Sequence, residues 1–261
     1  MCPVTRYGSP RYYRSRFEEQ VPVTVRLGSV AALAGTVVLF AGPIGYRFGL
    51  LSLPVAADQV FVWGAYLGGA AALVSLLGLV TVMSRRRDGR RGIGRAVLAL
   101  LVGAVAFRAG GRIPFVTPAA TLPDVTTDTT NPPVYVALPD VRGAAAPPLT
   151  YAGERLAARQ RQAYPDIAPL VLTTSKDEAF ARALGAIRKM GWTLVAADGP
   201  AGRIEASAST RLFGTTDDVI VRVVSQDGGS RVDVRAVSRE PDDGRSSASH
   251  VRAVLRALTP S

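Results

Sequence analysis

Ten charged residues beyond residue 120 have the types and spacing from which a functional site could be built. Carboxylates can serve as general acids, bases or nucleophiles, which would make the protein a hydrolase or a transferase. Arginines present a fixed fork of donors that suits carboxylate and phosphate groups, which would make it a binding protein. The candidate residues are Asp124, Asp128, Arg203, Glu205, Asp217, Asp218, Arg222, Asp233, Arg235 and Arg239.

Most of these residues fall on three segments in which apolar and polar residues alternate. Segments 202–210, 218–225 and 231–237 have the period of two that is typical of half-buried strands. Asp227-Gly228-Gly229 separates the last two segments, and Asp-Gly in that setting is a strong signal for a hairpin. The side chains predicted to face the core are Ile204, Ala206, Ala208, Val219, Val221, Val223, Val232, Val234 and Ala236.

The register of this hairpin decides which charges meet on its polar face. If Gln226 lies opposite Arg231, then Arg222 lies opposite Arg235. Such a like-charge pair costs stability unless an acidic neighbour neutralises it. The polar face is therefore either a solvated set of interleaved ion pairs or an anion or partner site centred on Arg222, Arg235 and Arg239.

Two helices flank the alternating segments. Ser175 and Glu178 form a capping box, and the apolar stripe that follows it ends at Gly191. A further strand is predicted over 192–197 and a second helix over 247–258. The order α-β-β-β-β-α predicts a small α+β domain with an antiparallel sheet, whose apolar face is covered by the helices.

Signatures of catalysis and of cofactor binding are missing from the sequence. Asp217 and Asp218 are adjacent on a strand and point to opposite faces, so they cannot share a substrate atom. We interpret the only histidine, His250, as an ordinary surface residue, and with Cys2 as the only cysteine no Cys/His zinc site can form. No Walker loop or dinucleotide fingerprint is present. We therefore expect no cofactor and no metal, and favour a protein that is not an enzyme.

The N-terminal part of the chain contains three apolar stretches that we predict to be transmembrane helices. They cover about residues 27–53, 60–83 and 93–110, and about 20 residues suffice to cross the hydrocarbon core. Up to Arg112 the chain has 14 arginines and 4 acidic residues, whereas the remainder has 17 basic and 16 acidic residues. A nucleic-acid-binding protein would concentrate its basic residues on the folded domain. The sequence thus predicts contact with the lipid bilayer and not with nucleic acid.

The arginines also predict the orientation of the chain. Eleven of them either precede the first apolar stretch or follow the second, in and just after the run Arg85-Arg86-Arg87. Cytoplasmic loops carry the excess of lysine and arginine. We expect an inner-membrane protein with a cytoplasmic N-terminus, three crossings and an extracytoplasmic C-terminal domain.

Composition divides the chain into four parts. Residues 1–26 are expected to form a basic cytoplasmic tail and residues 27–112 the membrane region. Residues 113–150 form an extended segment in which prolines forbid regular helix. Residues 151–261 form the α+β domain.

Several motifs, in one order, resemble those of the DUF1499 family, a group of uncharacterised bacterial and plastid proteins. They include residues 123–128 (Pro-Asp-Val-Thr-Thr-Asp), 202–206 (Gly-Arg-Ile-Glu-Ala) and 231–235 (Arg-Val-Asp-Val-Arg). The resemblance implies that the Asp-Thr-Thr-Asp strip is part of the domain and not a passive linker. The chain departs from the family at 240–245, where Glu-Pro-Asp-Asp-Gly-Arg replaces a turn with Gly, Asp and Asn. The resemblance implies no activity.

Two functions are consistent with these observations. We favour a multi-pass membrane protein whose exported domain binds or scaffolds other envelope proteins, or binds an anionic envelope ligand, through its arginines. The alternative is a hydrolase or transferase that acts on an envelope substrate with Asp124, Asp128, Asp217 or Asp218. Carboxylates gathered beside a pocket would favour the enzyme, whereas carboxylates paired with arginines would favour binding.

Overall fold

The computed structural model describes residues 22–84, 90–110, 122–143, 146–240 and 246–259. Contacts between Cα atoms divide the chain into two compact units, Met1–Leu39 with Trp63–Gly110 and Phe40–Val62 with Gly111–Ser261. The basic tail up to residue 21, the arginine run at 85–89 and the first part of the proline-rich segment lie outside the described residues. The arginine-rich segments from which the orientation is predicted are thus known mainly from the sequence.

Three helices are long and apolar enough to cross a membrane, as the sequence predicts. Helix α1 spans Val23–Arg47, helix α2 spans Phe61–Ser84 directly after a π-helical turn at Val55–Val60, and helix α3 spans Arg90–Gly110. Helix α1 ends at Arg47 and not near residue 53, because the chain turns at Gly49, which has a positive φ of 69°.

Helix α2 packs against both of its neighbours through small residues. A Cβ on Gly64 would lie 2.5 Å from the Cα of Leu39 in α1, and a Cβ on Gly68 would lie 2.7 Å from the Cβ of Ala106 in α3. Close backbone approach of this kind favours helix association in lipid, where the hydrophobic effect does not act between helices. Glycine at these positions is therefore a packing requirement of the bundle.

An antiparallel sheet of six strands forms the centre of the second unit. Its strands are β1 (Asp124–Thr126), β2 (Leu170–Leu172), β3 (Thr193–Asp198), β4 (Arg203–Ser209), β5 (Thr216–Gln226) and β6 (Gly229–Ser238). The spatial order is β1-β6-β5-β4-β3, and β2 pairs with β6 along the same edge as β1. The four longer strands are the predicted ones, whereas β1 and β2 are too short for alternation to reveal them.

The register of the β5–β6 hairpin differs from the predicted one by two residues. Asp227 and Gly228 alone form the turn. Both have a positive φ, 44° and 79°, which is the geometry of a tight type I′ turn. Arg222 therefore lies opposite Asp233 and not opposite Arg235, so the predicted like-charge pair is wrong. Because the offset is two residues, every side chain keeps its predicted face.

Three helices cover the apolar face of the sheet: α5 (Glu154–Ala163), α6 (Lys176–Lys189) and α7 (Ser247–Leu258). A fourth, short helix, α4 (Leu138–Val141), lies earlier in the chain. The Ser175 half of the predicted capping box is confirmed, since Oγ of Ser175 accepts from the backbone N–H of Glu178 at 3.3 Å. The core includes all nine side chains predicted to face inward on β4, β5 and β6. Helix α5 was not predicted, because Leu156 is its only large apolar residue.

We expect Gly202→Ala to destabilise the domain more than Gly228→Ala. Both glycines have a positive φ, 66° and 79°, so alanine costs about 1–2 kcal/mol at either position. A Cβ at residue 202 would also lie 2.1 Å from the backbone oxygen of Val223, whereas nothing lies within 4 Å of a Cβ at residue 228. Urea unfolding of the full-length protein in detergent, followed by Trp192 fluorescence in a Trp63→Phe background, measures both losses.

The crowding at residue 202 should add about 1–3 kcal/mol to the loss there. Gly228→Ala serves as the control for the backbone strain that the two positions share. Equal losses in the free energy of unfolding would contradict the close approach of Gly202 to β5.

Candidate functional site

The face of the sheet opposite helices α5–α7 is covered by residues 122–143 and 146–150, which we name the covering segment. Its first strand, β1, pairs with β6. Further along, Tyr135 and Leu138 pack against Ile220 and Val237 to form a second, smaller core. The Asp-Thr-Thr-Asp strip is therefore part of the folded domain, as the family resemblance implies.

Arg235 is the most deeply buried arginine of the candidate set, with a side chain that is 2% exposed. Its Nε and Nη2 donate to the two carboxylate oxygens of Asp124 at 2.9 and 2.7 Å. The remaining donors reach backbone oxygens of the covering segment, at Pro133 (3.1 Å) and Leu149 (2.8 Å). A single side chain of β6 thus holds the covering segment at three separate points.

Burial acts against both charges of this pair, and it raises the pKa of Asp124. Burial alone would lower the pKa of Arg235, but the hydrogen bonds and the negative charge of Asp124 outweigh it, and the pKa is raised. The rings of Tyr135 and Tyr151 lie 5.3 and 5.4 Å from the guanidinium carbon. Burial raises the pKa of Tyr151 to about 12. Arg235 is thus a permanent structural charge and not a proton donor.

A second cluster joins Arg222 and Arg231 to Asp128 and Asp233. Nη2 of Arg222 lies 2.8 Å from Asp233 and 3.2 Å from Asp128, while Arg231 contacts the same two carboxylates at 2.9 and 2.8 Å. Asp233 is 1% exposed, whereas the two arginine side chains are 23% and 30% exposed. A molecule that approaches this cluster therefore meets guanidinium groups before carboxylates.

A third cluster surrounds Asp218, which is fully buried. Arg239 contacts both of its carboxylate oxygens, at 2.7 and 3.0 Å, and Oγ of Ser207 donates to it at 2.9 Å. Nε of Arg142 lies 3.0 Å from the same carboxylate. Burial lowers the pKa of Arg142. The sequence did not indicate Arg142, because it lies outside every periodic segment.

Glu205 on β4 is also fully buried, and it serves as an acceptor for the covering segment. Its carboxylate accepts from the backbone N–H groups of Val136, Ala137 and Leu138 at 2.9, 3.0 and 2.8 Å. These groups begin helix α4, so a strand residue caps a helix nearly 70 positions earlier in the chain. Nε of Arg203 lies 3.1 Å from Glu205 and completes the charge balance.

Asp217 lies on the helix-covered face, opposite to Asp218, as strand alternation predicts. Its Oδ2 accepts from Oγ of Ser247 at 3.1 Å and lies 3.0 Å from Nδ1 of His250. The ring of Trp192 meets the imidazole edge-on at 5.1 Å. His250 is therefore a partly buried, paired residue that joins α7 to β5, and its interpretation as an ordinary surface histidine is wrong.

The four carboxylates considered for catalysis do not converge. Asp124, Asp128 and Asp218 are paired with arginines on one face of the sheet, and Asp217 is paired with His250 on the other. Across the residues that the structure describes, no group of three His, Cys, Asp or Glu side chains is placed to hold a metal ion. The arrangement suits recognition through guanidinium groups better than acid–base chemistry.

A family model matches residues 124–258, from the first residue of β1 to the last residue of α7. It describes a protein of unknown function, DUF1499. The chain belongs to the DUF1499 family. No curated protein matches it. The DUF1499 domain therefore includes the covering segment and is separate from the three apolar helices of the N-terminal part. Residues 241–245, where the chain departs from the family, lie outside the described residues.

The same type of ion pair, between an arginine and an aspartate, occurs buried at Arg235 and more exposed at Arg252. Each donates through Nε and Nη2 to both oxygens of an aspartate, Asp124 or Asp166, and each lies over a tyrosine ring. The Arg235 side chain is 2% exposed and the Arg252 side chain is 35% exposed. The two pairs thus differ in burial and in the two further hydrogen bonds that Arg235 donates to backbone oxygens.

We expect Arg235→Gln to lower the free energy of unfolding by about 3–5 kcal/mol, because it leaves the Asp124 carboxylate buried without its cation. Arg252→Gln should lower it by less than about 1 kcal/mol, because water screens the exposed pair. Urea unfolding of both full-length variants measures the difference. Similar losses for the two variants would contradict a structural role for the buried pair.

Proposed function

We propose that this protein is a multi-pass inner-membrane protein whose extracytoplasmic DUF1499 domain binds an acidic segment of another envelope protein and catalyses no reaction. One observation carries the proposal: arginine side chains that are 23% and 30% exposed lie above carboxylates that are less exposed, 13% at Asp128 and 1% at Asp233. In the cluster of Arg222, Arg231, Asp128 and Asp233, the acids hold the arginines in place and the arginines face outward.

Arg222 and Arg231 keep donors available for a partner. Their hydrogen bonds use Nε and Nη2. Within the described part of the chain, Nη1 of neither residue donates to a protein atom. Because Asp128 and Asp233 already fix the two side chains, a partner carboxylate binds without the full entropy cost of ordering them. The planar fork of each guanidinium suits such a carboxylate.

A hydrolase or transferase is the second candidate, and the pairing of Asp217 with His250 is the contact that favours it. Ser247 donates to the same oxygen of Asp217, and both partners lie in the first turn of α7. A carboxylate at that end of a helix is stabilised by the helix dipole. The contact is thus accounted for by the attachment of the first turn of α7 to β5, which supports the binding proposal over the enzyme.

The proposed orientation is supported by the distribution of arginines in the sequence. Five arginines precede the first apolar stretch and six lie from Arg85 to Arg95, whereas Arg47, Arg108 and Arg112 fall at the opposite ends of the helices. By the positive-inside rule the arginine-rich ends are cytoplasmic. With three crossings, the DUF1499 domain lies outside the cytoplasm.

Reporter fusions test this orientation. We expect alkaline phosphatase fused after Leu258 to be active and green fluorescent protein at the same position to be dark, because phosphatase matures outside the cytoplasm. A fusion between α2 and α3, at Asp88, should show the reverse pattern. An active phosphatase at Asp88 together with an inactive one after Leu258 would overturn the orientation.

Site-specific photocrosslinking in cells tests the binding surface. A photoreactive residue at Val224, which lies opposite Arg231 on β6 and is 37% exposed, should capture a protein partner. The same residue at Lys189, exposed on α6, is the matched control. Arg231→Gln leaves Asp128 and Asp233 paired with Arg222, so the fold is retained. This change should lower the yield about tenfold, equivalent to about 1.4 kcal/mol.

Two results would contradict the proposed surface. One is an equal pattern of adducts from positions 224 and 189. The other is a position-224 adduct whose yield does not respond to Arg231→Gln. An adduct with a non-protein molecule would instead identify the partner as an anionic envelope ligand and not as an acidic protein segment.

A further inference from the structure

A groove of about 630 Å³ opens between helices α1 and α3 in the membrane unit. Most of its lining is apolar, as is usual between transmembrane helices, and includes Val30, Leu33, Leu98 and Val102. Two arginines, Arg26 and Arg95, line the same groove. Ionised side chains are costly in hydrocarbon and mark functional positions when they occur there. A molecule that matches this groove is therefore anionic at one end and apolar along its length.

Both arginines lie at the same end of the bundle. Arg26 belongs to the first turn of α1 and Arg95 to the second turn of α3. Beside them, Val25 of α1 and Ala96 of α3 pack together with Val82 near the end of α2. The N-terminal ends of α1 and α3 are thus side by side, and both arginines lie at one end of the three-helix bundle.

The length of the groove matches one leaflet of the bilayer. Along α1 its lining extends from Arg26 to Thr36, a rise of about 15 Å at ~1.5 Å per residue. The hydrocarbon core is about 30 Å thick. The groove therefore begins at the headgroup region and ends near the midplane of the bilayer, as an acyl chain does.

Neither guanidinium group has an acceptor among the residues that the structure describes. In the ranges that the structure describes, neither Arg26 nor Arg95 takes part in a hydrogen bond or ion pair, unlike the arginines of the charged sheet face. A phosphate diester offers the acceptor geometry that a guanidinium fork prefers. Basic pockets between transmembrane helices are a known form of lipid headgroup site.

We propose that this groove binds an anionic glycerophospholipid, with its phosphate between Arg26 and Arg95 and one acyl chain along Val30, Leu33, Leu98 and Val102. Charge argues against a second copy of the chain as the occupant. By sequence, the end of the bundle that bears these arginines has eleven arginines and only Glu18, Glu19 and Asp88 as acids. Two such ends would repel each other, whereas an anionic lipid neutralises them.

Native mass spectrometry of the full-length protein tests the proposal. The protein is purified in detergent, depleted of lipid, and offered phosphatidylglycerol and phosphatidylcholine in equal amounts. We expect one phosphatidylglycerol per chain, retained about tenfold better than phosphatidylcholine. Arg26→Gln with Arg95→Gln should abolish this preference. Arg108→Gln, at the opposite end of α3 and outside the groove, is the control and should leave the preference unchanged.

A second variant tests the apolar part of the groove. Val30→Trp fills it from a side chain that is 66% exposed, so the helix packing is retained, and it should displace the lipid although both arginines remain. Retention of phosphatidylglycerol by the double arginine variant, or equal retention of both lipids by the unmodified protein, would overturn the proposal. Dimers that resist added phosphatidylglycerol would also overturn it, because a second copy would then occupy the groove.

Discussion

The DUF1499 domain depends on one constraint: charges buried on the outer face of its sheet must be neutralised. Glu205, Asp218, Asp233 and Arg235 are each at most 2% exposed, and a buried charge is tolerated only when it is paired and hydrogen-bonded. The covering segment supplies partners for three of them: backbone N–H groups at the start of α4 for Glu205, Arg142 for Asp218, and Asp124 with two carbonyl oxygens for Arg235. Asp233 is paired with Arg222 and Arg231 of the sheet itself. A stretch that reads as a proline-rich linker is therefore required for the sheet to be stable, and the sheet in turn fixes its path.

Because of this dependence, the motifs by which the chain resembles its family have a structural role. The acidic strip at 123–128 pairs with Arg231 and Arg235, up to about 110 residues further along the chain. Glu205 accepts from the backbone at the start of α4 and pairs with Arg203. Carboxylates and arginines that look like catalytic or ligand-binding residues in a linear sequence are mostly engaged with one another. The proposed binding function therefore rests on the partly exposed guanidinium groups of Arg222 and Arg231 and not on the acids below them.

Much of the fold could be predicted because alternation and capping are local signals. The inward faces of β4, β5 and β6, the Ser175 cap and the bounds of α7 follow from residues within a few positions of each other. The register did not follow, because the observed two-residue turn and the predicted longer one differ only in whether Gly229 and Ser230 belong to β6. The contacts of Arg142, and of His250 with Asp217, could not be predicted, since no periodic pattern connects residues so far apart in the chain.

The two units show that an arginine's role depends on whether an acceptor lies within reach. In the nearly neutral C-terminal part of the chain, basic and acidic residues balance at 17 and 16, and arginines become structural cross-links. In the N-terminal part, 14 arginines have 4 acids to meet, so most must find their counter-charge outside the protein. At the surface of a membrane the available anions are lipid phosphates. The same excess from which the orientation is proposed thus also underlies the proposed lipid site, where two arginines line an apolar groove.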